Sequence, residues 1–345
     1  MGRPSHPLVE LTRARMMEFI REPEAIFWVF VFPVLLALGL GIAFRSRPAQ
    51  PLRIAVQQGP GGANLAEALD RSPEITATLL VPEAARNDLR TGRLALVVVP
   101  GDSVTYVYDP TRNDSRLARR LVDDAVQRAA GRADPLIVSE RHLTEPGSRY
   151  IDFLIPGLLG LNLMGSGMWG IGFNIVQARR KRLLKRLLAT PMRRSHYLLS
   201  FILSRFVFMI LEVAALVGFG WLVFDVRVYG SIIDLLIVAV VGALAFAGLG
   251  LLAASRAQTI EGVSGIMNLV MLPMWIFSGV FFSYANFPDR LQPFIQALPL
   301  TPLNDALRTV MIDGAPLTAN LTRLAVIAAW GLVSFVTAVR VFRWH

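Results

Sequence analysis

Six stretches of about 20 predominantly apolar residues dominate this chain, and that length matches the hydrocarbon thickness of a bilayer. The first, IFWVFVFPVLLALGLGIAF, covers residues 26–44. At about 1.5 Å per residue such a run reaches about 28 Å as a helix. Five more follow at 151–176, 198–223, 232–253, 262–282 and 321–341. Hydrocarbon accepts backbone only when its amides and carbonyls are bonded internally, so each run is expected to be a helix. A soluble fold would have to hide several helices of this length in one modest core. The composition argues against that: 54% of the residues are hydrophobic and the mean hydropathy is +0.50. Pro33 is tolerable within the first span and is expected to kink it. A cleaved signal peptide fits poorly, because the basic leader and the apolar run are both long and Arg45-Ser46-Arg47 follows instead of a small-residue cleavage site.

Residues 45–150 are the one long hydrophilic segment. LRIAV (52–56), ITATLLV (75–81), LALVVV (94–99) and VTYVY (104–108) read as strands. Leu65–Arg71, Glu83–Thr91 and Ser115–Ala130 read as helices, punctuated by glycines and prolines. The segment carries 15 Arg against 13 acidic residues, so it is nearly neutral. The expected fold class is therefore a polytopic α-helical membrane protein of six transmembrane helices, with a small extracytoplasmic α/β domain inserted between helices 1 and 2.

Charge sets the expected orientation. The whole chain carries +10. Residues 1–24, read as an amphipathic cytoplasmic interface helix, hold Arg3, Arg13, Arg15 and Arg21, and residues 177–195 hold eight basic and no acidic residues. Adding Arg256, Arg340 and Arg343 gives 15 on one side, against Arg227, Arg290 and Arg308 on the other. The positive-inside rule then puts both termini in the cytoplasm and residues 45–150 outside a bacterial inner membrane. The excess charge faces anionic membrane lipids and cytoplasmic proteins rather than nucleic acid. Residues 283–319 form a second, proline-rich external interval, with short helices expected near 289–298 and 303–311 that either dip into the membrane edge or lie along it.

Several chemistries are excluded. Cysteine is absent, so there is no disulfide or thiol chemistry, and the four histidines are far apart in sequence. Neither lysine, Lys181 nor Lys185, follows a glycine loop, so there is no P-loop to cradle a nucleotide. No cofactor is expected on this chain; if ATP drives it, ATP and Mg²⁺ bind another protein.

A few polar residues stand out. Glu212 lies inside the third span and must face a cavity, a partner helix or Arg205, which is two turns or about 10.5 Å away along the axis. Asn162, Asn174 and Asn268 are read mainly as inter-helix bonds, and Glu261 as a cap or local pair at the inner end of the fifth span. Tryptophans near span ends are read as interface anchors. The basic 177–195 helix is either a mechanical contact for a soluble motor or a loop that only fixes topology; composition weighs the two about evenly.

Three stretches bear on that choice: RKRLLKRLLATPMRRSHYLLSFILSR (180–205), QTIEGVSGIMNLVMLPMWIFSGVFF (258–282) and LPLTPLNDALRTVMIDG (298–314). The first holds an L-x-x-L/A-T-P core; the second places Pro273, Phe277, Ser278, Gly279, Phe281 and Phe282; the third places Leu298, Pro299, Pro302, Leu303 and Asp305–Arg308. In this organisation the chain resembles the permease subunit of ABC-2 type exporters, in the branch with a large external domain between the first two spans. Gln177-Ala178-Arg179-Arg180 departs from the acidic residues and Gly-Thr pair that often open the first motif, and Ser283-Tyr284 from the proline that often follows the second.

The resemblance implies a working unit of two permease chains, identical or close paralogues, and two soluble P-loop ATPase subunits. It implies a coupling helix at 177–195, with Arg180, Arg182, Leu183, Lys185, Arg186, Leu187, Thr190 and Pro191 as its contacts. The expected function is outward movement of a drug-like, lipidic or amphipathic substrate, with Asn162, Gly165, Glu212, Asn268 and Met271 as the candidate path. Rival expectations are a membrane assembly protein or receptor acting through residues 45–150, and an ion-coupled transporter using Glu212.

Overall fold

The computed structural model describes residues 7–44, 51–101, 103–132, 136, 147, 149–180 and 194–341. Two compact units emerge: residues 1–45 with 144–345, and residues 46–143. Six helices are long and apolar enough to cross a membrane. Of the coupling residues named above, Arg180 is described; Arg182, Leu183, Lys185, Arg186, Leu187, Thr190 and Pro191 lie outside the described residues.

Helix α1 (Pro7–Ile20) precedes α2, which runs from Pro23 to Ala43. Phe19 of α1 stacks on Phe208 at 4.2 Å and meets Phe30 edge-on at 6.2 Å, while Val9, Met17 and Ile20 stay exposed. Within α2, residues Phe27–Val31 form a π-helical stretch. The cause lies two residues on: Pro33 has no N–H to give the carbonyl of Val29, four residues back. The ladder widens to i→i−5 there, with Phe32 N donating to Phe27 O. The kink expected from Pro33 thus takes the form of a π-bulge.

The inserted unit is a four-stranded sheet of β1 (Leu52–Gln57), β2 (Ile75–Leu80), β3 (Leu96–Val99) and β4 (Thr105–Val107), ordered β2-β1-β3-β4. β2, β1 and β3 run parallel, with Leu52 opposite Ile75 and Ile54 opposite Leu96; β4 is antiparallel to β3. Helices α3 (Gly62–Asp70), α4 (Pro82–Arg90) and α5 (Asn113–Ala129) cover it. Side-chain alternation along a strand decides the layers. Ile54, Val56, Leu96 and Val98 pack with Leu69 of α3 and Val122 of α5. Ala55 and Val97 point the other way, into a smaller cluster with Ala85 of α4 and Leu94. Burial on both sides explains the near-continuous apolar run of β3. Tyr106 of β4 bonds Asp123 at 3.2 Å; burial, then the nearby carboxylate, pushes its phenol up to about 12.

The membrane unit continues with α6 (Tyr150–Arg180), α7 (Arg194–Phe224), α8 (Ile232–Ala254) and α9 (Ile260–Phe277). After them come α10 (Gln292–Ala297), α11 (Leu300–Met311) and α12 (Leu321–Val341). α6 is the hub: it packs against α2, α7, α8, α9 and α11. The glycine-rich stretch and Pro156 leave it one continuous helix. Small residues let its neighbours in. A Cβ on Gly160 would overlap Asn304 Oδ1, and one on Gly157 would lie 2.5 Å from Val280 O.

The fifth span is shorter than its apolar run suggests. α9 stops at Phe277, because Gly279 takes φ +71 and turns the chain, although apolar residues continue to 282. In the interval after it, residues 282–294 are mostly exposed, whereas α11 is not. α11 is buried on nearly every side among α6, α8 and α12, from Leu300 through Met311. Its Leu303 faces Gly242 and its Asn304 faces Gly160, each ten residues and so about 15 Å from the start of its own helix. α11, 12 residues and so about 18 Å long, is therefore buried among the spans but too short to span itself.

The packing predicts a sharp contrast between two glycines of α6. Gly160→Val should lower the detergent-solubilised melting temperature markedly, at a cost of about 1–3 kcal/mol for overpacking. Gly165→Ala, with no atom within 4 Å of the new carbon, should leave it unchanged or slightly raised. Thermal-shift measurements on both variants check this; equal effects would contradict the packing.

Candidate functional site

A chain of polar contacts crosses three spans in the interior of the membrane unit. It begins at the π-bulge of α2. The Val29 carbonyl that Pro33 leaves without a helical donor accepts from Asn162 Nδ2 of α6 at 3.0 Å. One turn on, Ser166 Oγ lies 2.6 Å from Asn162 O and 2.9 Å from Glu212 Oε2 of α7. Arg205 closes the set, with Nη1 donating to Glu212 Oε1 and Nη2 to Ser166 Oγ, both at 2.7 Å.

The geometry follows from helix periodicity. Residues 205 and 212 are two turns apart on one face of α7, and the long arginine side chain covers the axial distance. The Glu212 side chain is 1% exposed and that of Arg205 14%. An isolated charge there would be expensive; paired and bonded through Ser166, the two are tolerated. Both carboxylate oxygens are engaged, which leaves Glu212 poorly placed to carry a travelling ion. Ser166 is a site residue that the sequence reading misses. Its position four residues after Asn162, in a helix that must face Glu212, is the available signal.

The other sequence-named residues fall elsewhere. Met271 is buried. Gly165 has open space beside it. Asn268 stands on the exposed face of α9 with Glu261 and Gly265. Thr259, not Glu261, caps α9, its Oγ1 accepting from Gly262 N at 3.0 Å. Asn174 bonds back to Gly170 O of its own helix. The five candidates for a path are therefore not gathered into one lining: Asn162 and Glu212 share the network, and Asn268 belongs to a separate face. Trp330, read as an anchor, donates Nε1 to Ala297 O at 2.8 Å and so ties α12 to α10.

Two further clusters hold the opposite end of α6. Arg149 forms a bidentate pair with Asp152, at 2.7 and 2.9 Å, and also donates to Phe224 O at the end of α7 and to Asp225 O, where φ is +52. Arg308 of α11 sits 3.6 Å over the Phe153 ring and donates to Phe153 O and Gly279 O. Asp305 accepts from Tyr284 at 3.1 Å. The D-A-L-R stretch thus ties α11 to the start of α6 and to the turn after α9. Among the described residues, no group of three or more His, Cys, Asp or Glu is placed to hold a metal ion.

Six helices long and apolar enough to cross a membrane, one of them a glycine-rich hub, with a sheet domain inserted after the first, define a polytopic membrane protein. Residues 23–340 match the family described as ABC-2 family transporter protein, and the chain belongs to that family. It is also similar to ABC transporter G family member 20 of Dictyostelium discoideum, 27% identical over 174 residues. That match takes in 50% of this chain and 24% of the relative, so this chain spans about a quarter of the relative's length. No P-loop pattern occurs in residues 1–345.

The network predicts strong coupling between its charged members. Arg205→Met or Glu212→Leu alone should destabilise the detergent-solubilised protein by about 3–5 kcal/mol, by leaving one charge buried and unpaired. The double variant should recover most of that loss. A double-mutant cycle on unfolding free energy checks this; additive losses would mean the pair does not exist in the folded protein.

Proposed function

We propose that this chain is the membrane-spanning permease subunit of an ABC exporter, moving a drug-like, lipidic or amphipathic substrate outward with ATP hydrolysed by a separate P-loop subunit. The observation that carries it is the family match across 23–340, with no P-loop in residues 1–345 and with eight basic and no acidic residues at 177–195, from the end of α6 to the start of α7. Arg180, exposed at the end of α6, opens the part of that segment meant for the ATPase. Arg182, Lys185 and Arg186 supply charge for its carboxylates, with Leu183, Leu187, Thr190 and Pro191 as further proposed contacts. ATP and Mg²⁺ belong to the partner.

The distribution of arginines supports cytoplasmic termini and an external sheet domain in a bacterial inner membrane. The face of α9 bearing Glu261, Gly265 and Asn268 supports a second permease chain, identical or paralogous, as its neighbour: polar side chains on a spanning helix are costly against lipid and favourable against another helix. A path between two chains would then run beside Asn268, with Met271, Gly165 and the apolar residues around them suiting an amphipathic molecule. Coupling through Glu212 without ATP is disfavoured by the engagement of both its oxygens.

Affinity purification of the tagged chain from its native membrane should bring down a P-loop ATPase. Replacing Arg182, Lys185 and Arg186 together with Ala should weaken that association at least about tenfold, the loss of about 1.4 kcal/mol or more. ATPase stimulation in proteoliposomes, across a panel of lipids and amphipathic compounds, identifies the substrate. Unchanged association of the triple variant would overturn the coupling role, and transport with a catalytically dead ATPase would overturn the exporter reading.

A further inference from the structure

The cytoplasmic end of α6 carries a tie that neither the network nor the coupling contacts require. Arg179, the penultimate residue of α6, reaches across to the end of α8. Its Nη1 lies 2.7 Å from Ala257 O and 3.4 Å from Ala254 O, and its Nη2 lies 3.4 Å from Ser255 O. The last carbonyls of a helix have no donor within it and gather the negative end of the helix dipole. A planar guanidinium offers several donors in a fixed fork, so one side chain can serve the carbonyls of Ala254 and Ser255 at the helix end and of Ala257 in the turn after it.

Its place in the chain gives the tie its consequence. Arg179 is two residues from the start of the 181–193 segment on one side. On the other, the carbonyls it holds belong to the turn that feeds α9, whose helix starts at Ile260 under the Thr259 cap. α9 carries the face with Glu261 and Asn268. Without the tie, α6 and α9 meet through side-chain packing such as Met267 on Gly172, which can slide.

We infer that Arg179 is a positioning residue that passes a displacement of the coupling segment directly to the α8–α9 turn, so that α9 moves with α6. The inference rests on the permease–ATPase reading above. In it, the Arg205–Glu212 network holds α2, α6 and α7 as one body, and Arg179 is the link from that body to the helix bearing the open face.

Hydrogen–deuterium exchange on the complex with its co-purified ATPase, with and without a non-hydrolysable ATP analogue and Mg²⁺, tests this. In the wild type the nucleotide should change protection at both 181–193 and 255–260. In Arg179→Lys, which keeps the charge and loses the fork, the change at 181–193 should persist and that at 255–260 should be lost. Substrate moved per ATP should fall about tenfold, within the usual range of coupling energies. Because the chain has no native cysteine, Arg179→Cys with Ala257→Cys provides a second variant: the response at 255–260 should be absent before, and restored after, joining the two with a flexible bis-maleimide. A response at 255–260 that survives in Arg179→Lys, or that linking fails to restore, overturns the inference. No nucleotide response at 181–193 in the wild type would instead overturn the permease–ATPase reading beneath it.

Discussion

Hydrocarbon offers a polar group nothing to bond with, and the interior of this protein is arranged around that fact. Pro33 removes one backbone donor from α2, and the freed Val29 carbonyl could not remain bare. Asn162 of α6 supplies the missing donor. Its neighbour one turn on, Ser166, then meets the ion pair that α7 carries along one face. A proline in one span, an asparagine and a serine in a second, and an arginine and a glutamate in a third thus form a single connected solution. Each would be a liability alone. Together they fix which faces of α2, α6 and α7 meet.

The same logic shapes the rest of α6. Its glycines admit the Val280 carbonyl of the turn after α9, the Asn304 side-chain amide of α11 and the Met267 side chain of α9, which larger residues would forbid. Arginines at its two ends, Arg149 and Arg179, reach to the terminal carbonyl of α7 and to the carbonyls at the end of α8 and in the turn after it. The helix that precedes the basic segment is therefore bonded to other spans along its whole length.

Much of this architecture was legible in the sequence because membrane helices announce themselves by length and greasiness. The apolar runs at 232–253 and 321–341 differ from α8 and α12 by a residue at most. The alternation in 104–108 and the buried run at 94–99 marked β4 and β3. Legibility failed where conformation depends on a partner distant in sequence. The end of α9 at Phe277 depends on Gly279 adopting a positive φ and on Arg308 holding its carbonyl; hydropathy alone runs on to 282. Burial of α11 depends on glycines at 157, 160 and 242, and a proline-rich interval by itself leaves open whether its helices dip into the membrane edge or lie along it. The Arg205–Glu212 pair was visible as a possibility, since helical periodicity puts residues seven apart on one face. Ser166, which completes it, is an ordinary small residue until the two helices are brought together.

The account depends on one premise: the six helices cross the membrane, with the sheet domain on one side and the α8–α9 turn on the other. The absence of native cysteine makes this directly measurable. Single-cysteine variants Glu83→Cys in the sheet domain and Arg256→Cys in the turn, both at exposed positions, can be labelled in intact cells with a membrane-impermeant maleimide. The account predicts that the thiol introduced at position 83 reacts from outside, and that the one at position 256 reacts only after the membrane is opened. Labelling of both positions from the same side, in either direction, would contradict it.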